Sequence, residues 1–157
     1  KKRIRFQLNQ LKKYKSLDII GGCALYIDGT RKKKVDVFTK NNEIKNQMKF
    51  FNPLIHSSIM FKKKSILKLG GYNESFQRCQ DYELWLRGRY KLNFKNSKKI
   101  FVIRDISNFK FDLSNVFYLF KARIMHLKYE LKILSFFLLF KDFLIYLLIK
   151  LNLKKII

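Results

Sequence analysis

The side chains best equipped for chemistry fall between Gly70 and Arg87, in the run Gly-Gly-Tyr-Asn-Glu-Ser-Phe-Gln-Arg-Cys-Gln-Asp-Tyr-Glu-Leu-Trp-Leu-Arg. Only 11 acidic residues stand against 35 basic ones in the chain, and three of them (Glu74, Asp81 and Glu83) lie in this stretch. Gly70-Gly71 supplies a tight turn, because glycine adopts backbone angles that other residues avoid. The loop after it leads into a helix-like run holding the single tryptophan, Trp85. A carboxylate at a helix start with an aromatic ring one turn later is a constellation for a general base beside a flat, ligand-stacking surface. The same spacing also describes an N-terminal helix cap with a core tryptophan behind it. Residue types alone leave both readings open.

The other polar candidates are scattered. Cys23 and Cys79 are too far apart for a disulfide framework, and with His56 and His126 they lack zinc-ligand spacing, which points to a reducing compartment. His56 falls between Ile55 and Ser57 in a strand-like run, as a hydrogen-bonded core residue or as a site residue. Arg31-Lys32-Lys33-Lys34 reads as a charge run on a turn, either simply solvated or in contact with phosphate or lipid.

These residues need elements to hold them. Ile4, Leu8, Leu11 and Tyr14 recur at helical spacing and predict a helix over 3–15. Strand formers fill 18–28, interrupted by Gly21-Gly22 and closed by an Asp28-Gly29 turn. A short helix is expected over 43–51, ended by Asn52-Pro53, then a strand over 54–62. One helical turn over 65–69 stops at Gly70-Gly71, and Lys99 to Ile103 forms a further strand closed by Arg104-Asp105. The alternation predicts a mixed α/β layer structure.

The character changes at Asp112. Asp112 or Ser114 caps a helix, and no glycine or proline follows to break one. Residues 133–140 and 143–149 are strongly apolar, and Lys141-Asp142 interrupts what would approach a membrane-spanning length. Lys128, Lys132, Ser135, Asp142, Tyr146 and Lys150 fall on one narrow stripe of a helical wheel, with Lys141 off it and obliged to snorkel. A wide apolar face with a thin basic edge suits a helix lying in a membrane interface; packing onto its own domain or a partner is the alternative. The net charge of +24 draws the chain to polyanions such as nucleic acid, anionic lipid or phosphorylated substrates, although lysine, asparagine, isoleucine and phenylalanine can also be enriched by codon bias. With 48% hydrophobic residues and one proline, the chain is not a disordered one. No secretory signal is visible, since no apolar segment follows Lys1-Lys2-Arg3, and the sequence begins inside a helix.

Three motifs in order resemble glycosyltransferase family 2: Asn52-Pro53-Leu54-Ile55-His56-Ser57-Ser58-Ile59-Met60-Phe61, then Gly70-Gly71-Tyr72-Asn73-Glu74, then Gln80-Asp81-Tyr82-Glu83-Leu84-Trp85-Leu86-Arg87. Leu17 to Gly22 and Ile27-Asp28 fit the preceding segment, so the resemblance spans roughly residues 1–104. It implies an α/β fold of the GT-A type, a truncated mixed sheet with flanking helices over 1–111, followed by C-terminal amphipathic helices over 112–157. It further implies transfer from a nucleotide-sugar donor, with inversion, to a saccharide or lipid-linked acceptor in surface polysaccharide synthesis. Asp81 takes the position of the catalytic base. Gly71, Tyr72, Glu74, Gln80 and Trp85 take acceptor-side positions, and His56 and Arg104 donor-side or structural ones. The family uses Mg or Mn held by a D-x-D motif. No such motif precedes the matched region, and Ile106 stands where a histidine often follows the arginine. The resemblance therefore casts the chain as the C-terminal part of a longer enzyme, nearly inactive alone, and peripheral at the cytoplasmic face of a bacterial membrane. The alternatives are a basic non-catalytic module binding anionic lipid or nucleic acid, or an inactive remnant. Nucleic acid is the weaker partner, because the phenylalanines cluster in apolar runs and no nucleic-acid motif is present.

Overall fold

The computed structural model describes residues 2–108, 112–126 and 129–150, with side chains described except at 129–135, 146 and 148–150. Helix α1 (Lys2–Lys13) precedes strands β1 (Ile19–Asp28) and β2 (Arg31–Val35), helix α2 (Asn41–Gln47), a short 3-10 turn (His56–Ser58), strand β3 (Met60–Phe61) and helix α3 (Lys63–Leu67). Helix α4 (Gln80–Gly88), strand β4 (Phe94–Asp105) and helices α5 (Leu113–His126) and α6 (Tyr129–Lys150) complete the order. The fold is mixed α/β: a four-stranded sheet of mixed direction with helices flanking it.

The chain forms two compact units. Lys1–Gly71 with Arg87–Phe109 make the first, which contains the sheet. Tyr72–Leu86 with Lys110–Ile157 make the second, in which most of α4 groups with α5 and α6.

Strand β1 is the centre of the first unit. It pairs antiparallel with β2 (Ala24↔Val35 to Asp28↔Arg31) and with β3 (Ile19↔Phe61, Ile20↔Met60), and parallel with β4 (Ile19↔Phe94 to Ile27↔Asp105). A strand buried on both faces reads as a near-continuous apolar run, as the buried Ile19 to Ala24 does. Gly21 and Gly22 do not interrupt it. They are sites of close approach: a Cβ on Gly22 would meet the Phe101 ring at 2.4 Å, and one on Gly21 would meet Asn96 Oδ1 at 2.4 Å. Helix α1 is held to this strand by its buried Gln7, whose Nε2 donates to the carbonyls of Ile20 and Ser58, each at 2.9 Å.

Asp18 fastens the start of β1 to two other segments through three contacts. Its Oδ1 accepts from the Ser65 hydroxyl at 2.6 Å and its Oδ2 from the Asn93 N–H at 2.9 Å, while its carbonyl accepts from the Lys62 N–H at 2.9 Å. Asn93 returns its carbonyl to the N–H groups of Asp18 and Ile19. One carboxylate thus sets where α3 begins and where β4 starts its ladder.

Three expectations change. The cationic run 31–34 is strand β2 rather than a turn, because the Gly29 bend (φ 58°) folds it back onto β1. An edge strand of exposed cations is protected from pairing with further strands. The segment 54–62 is mostly not strand: after Asn52-Pro53 the chain makes the 3-10 turn, and His56 is exposed on it rather than buried in a sheet. Strand β4 is longer than 99–103, since parallel pairing with β1 recruits Phe94 to Lys98.

In the second unit, Asp112 is the cap of α5, its Oδ1 accepting from the Ser114 N–H at 2.9 Å. Among the described residues no helix is long and apolar enough to cross a membrane. Asp142 faces α5, where Arg123 Nη1 donates to its Oδ2 at 3.2 Å. Lys128 lies outside the described residues, as do the side chains of Lys132, Ser135, Tyr146 and Lys150.

Asp18→Ala removes the acceptor shared by Ser65 and Asn93 and is expected to cost about 2 kcal/mol. Urea unfolding should show a lower midpoint with an unchanged slope, and Asp28→Ala, an exposed carboxylate on the same strand, should leave it within about 0.5 kcal/mol.

Candidate functional site

Helix α3 ends at Leu67, and the chain then turns through Gly70 (φ 86°) and Gly71 (φ 73°), both in the left-handed region that glycine tolerates. Arg87 fixes this turn: its Nη2 donates to the Gly71 carbonyl at 2.6 Å and its Nη1 to that of Leu69. Gly71 therefore serves as a backbone acceptor in a locked bend.

From Tyr72 the chain belongs to the second unit. Asn73 closes a local turn, its Oδ1 accepting the Ser75 N–H at 3.0 Å. The loop is then secured to α5. Phe76 is buried against Tyr118, with ring centroids 5.7 Å apart, and Lys121 Nζ lies 4.6 Å over the Phe76 ring. Arg78 pairs with Asp112 at 3.1 Å, and the Cys79 thiol faces the Asn115 carbonyl at 3.7 Å. Cys79 holds φ 57°, the one non-glycine with positive φ among the described residues. Its carbonyl accepts the Glu83 N–H at 3.0 Å, so α4 starts from a strained residue that its surroundings hold in place.

Asp81 sits in the first turn of α4, half-buried. Its charge is felt by two neighbours. Burial pushes the Tyr72 phenol up and the Asp81 carboxylate adds to the shift. Burial, then Asp81, push the Cys79 thiol up to about 11, against the opposing pull of Arg123 and Arg78. Asp81, Tyr72 and Cys79 therefore form one electrostatic neighbourhood, with Tyr72 exposed at its edge.

Other residues expected at a site lie differently. Trp85 is 0% exposed and serves as core, with Tyr82, Leu84 and Leu86 around it in sequence, so it offers no wall to an acceptor. Gln80 Nε2 donates to the Gln77 carbonyl at 3.0 Å in an exposed local contact. Glu74 is exposed on the loop. His56 and Arg104 are both exposed and belong to the first unit, whereas Asp81, Tyr72, Glu74, Gln80 and Trp85 belong to the second. Two hollows lie in the first unit: one of 570 Å³ is bounded by Lys63, Lys64, Leu67 and Lys68, and one of 420 Å³ includes Tyr14, Asn41, Asn93 and Lys95. Asp81 borders neither.

Two polar pairs behind Asp81 could not be anticipated from spacing. Glu83, fully buried, has Oε1 2.8 Å from His126 Nε2. Arg123, with its side chain 3% exposed, reaches Asp142 and also donates through Nε to the Tyr82 hydroxyl at 3.4 Å. The partners are separated by 43, 19 and 41 positions in the chain, so no local pattern signals them. Among the described residues no three His, Cys, Asp or Glu side chains converge as a cation site requires. The described residues therefore do not offer the ligand set that Mg²⁺ or Mn²⁺ requires.

No protein-family model matches the chain, and no curated protein matches it.

Asp142→Ala removes the carboxylate facing a buried guanidinium and is expected to cost about 3 kcal/mol in urea unfolding, whereas the double variant Arg123→Met/Asp142→Leu should recover most of that loss. The Cys79 thiol should alkylate more slowly than a free thiol at pH 8, with a rate still rising toward pH 11. Asp81→Asn should speed that alkylation. Because folding raises the thiol above its ordinary value of 9.0, any associated stability is complete below about pH 9 and is lost as pH rises toward about 11.

Proposed function

We propose that this chain forms part of a family 2 glycosyltransferase of GT-A type, working peripherally at a membrane, and that Asp81 is its general base. The observation that carries the reading is a half-buried carboxylate in the first turn of α4, with the partly exposed Tyr72 within its electrostatic reach. A base for this chemistry needs an ionised carboxylate that a hydroxyl can approach, and a neighbouring aromatic edge to orient the sugar that carries it.

In the proposed step an acceptor oxygen attacks the anomeric carbon of a nucleotide-linked sugar. The new carbon–oxygen bond forms as the bond to the diphosphate breaks with its electron pair, and the acceptor proton moves to Asp81. Tyr72 holds the acceptor ring. Arg87, by fixing the Gly70–Gly71 bend, sets the point from which the Tyr72 loop departs. The mixed four-stranded sheet with flanking helices is compatible with this architecture, and the cationic surface suits a phosphorylated donor.

In the intact protein, Asp81→Asn should lower kcat/KM for transfer from a nucleotide-sugar panel by about a thousandfold, with circular dichroism unchanged. Tyr72→Ala should mainly raise KM for the acceptor. Near-normal turnover by Asp81→Asn would remove the base, and with it this function.

A further inference from the structure

Helix α6 is arranged the wrong way round for water. A helix on a soluble surface turns its apolar stripe inward and its charges outward. Here Asp142 faces α5 and pairs with the buried Arg123, while Phe136, Phe137, Phe140, Phe143 and Leu144 are exposed, Phe137 at 70% and Phe140 at 66%. Those positions recur at helical steps of three and four, so they make one continuous stripe. Ionisable groups paired on the inside with aromatic groups outside is the pattern of helices in an apolar medium. Lys141 is exposed one turn from both Phe137 and Leu144, placed to snorkel toward headgroups.

The charge selects the occupant. Residues 112–157 carry eight lysines and arginines against three carboxylates. Two of those carboxylates are committed to ion pairs, Asp112 with Arg78 and Asp142 with Arg123. A second copy of a chain with net charge +24 would bring like charges together, whereas an anionic bilayer accommodates both the phenylalanines and the cations. Since no described helix is long and apolar enough to cross, α6 would lie in the plane of the interface.

We infer that the outward stripe of α6 seats in the headgroup–acyl boundary of an anionic bilayer, and that the acceptor reaching Asp81 is therefore lipid-borne. The second clause rests on the transferase reading and follows from Asp81 and the stripe belonging to one compact unit.

Flotation of the intact protein with vesicles of phosphatidylcholine, with and without phosphatidylglycerol, tests the docking. Binding should require the anionic lipid and weaken with salt. Phe137→Ser/Phe140→Ser should weaken it by about tenfold or more. Phe137→Leu/Phe140→Leu should retain it, as should Tyr90→Ser, which alters an exposed aromatic of the first unit. Equal flotation by the serine variant, no flotation by the parent, or a serine variant that changes only the oligomeric state would overturn the proposal. With a lipid-linked acceptor in the same vesicles, the serine variant should slow transfer, while transfer to the free saccharide should be unchanged. Equal slowing on both acceptors would sink the lipid-borne assignment. Asp81→Asn turning over normally while flotation persists would sink the transferase reading and leave the docking standing.

Discussion

The Asp18 carboxylate closes the first unit. Its two oxygens take a hydroxyl 47 residues away and a backbone N–H 75 residues away, so the ends of two long loops meet on one side chain. Loop closure costs conformational entropy before any strand contact repays it. A fixed acceptor at the start of the central strand concentrates that repayment at one point. Once Asn93 is bound there, Phe94 falls opposite Ile19 and the parallel ladder runs on to Asp105, with register shifts on either side of Cys23. The register in turn decides which residues face Gly21 and Gly22. With Asn96 and Phe101 at those places, no side chain larger than hydrogen fits without displacement. Strand, glycine pair and clamp form one consistent solution.

The same economy of carboxylates runs through the molecule. In a chain so short of acidic residues, four of the described ones are structural ties between distant segments or at a helix end. Asp18 binds α3 and β4, Asp112 caps α5, Glu83 meets His126 and Asp142 meets Arg123. Asp81 stands apart by position. It sits in the first turn of a helix reached through a left-handed cysteine, at the edge of a loop that Phe76, Arg78 and Lys121 secure to α5. Strain at Cys79 and the packing of the loop on α5 fix where α4 starts, and so where Asp81 sits in the chain.

Local signals were readable where a single residue type has only one physical use. Gly70-Gly71 marked a bend after a helix, and both residues hold positive φ there. The first helix and the start of α4 were also legible from periodicity and from acidic residues in a first turn. What escaped were features imposed from a distance. Arg31 to Lys34 has no alternation and becomes a strand only because β1 supplies its partners. His56 looked like a strand residue because apolar neighbours surround it, yet Pro53 and the Ser58 contacts bend the segment into a 3-10 turn. Trp85 carried a readable warning, since Leu84-Trp85-Leu86 is an unbroken apolar triplet with no polar position to face a ligand.

The orientation of α6 follows from the Arg123–Asp142 pair. Buried ion pairs add little net stability, because desolvation offsets most of the attraction, but separating one leaves an uncompensated buried charge. A slip of α6 by one residue would rotate Asp142 by about 100°. That would leave the Arg123 guanidinium, almost wholly enclosed, without its carboxylate. Hydrophobic burial alone would favour the opposite choice, with Phe136, Phe137 and Phe140 turned inward. The polar pair therefore determines which face of the helix is presented outward, and the outward face is the one made of phenylalanine.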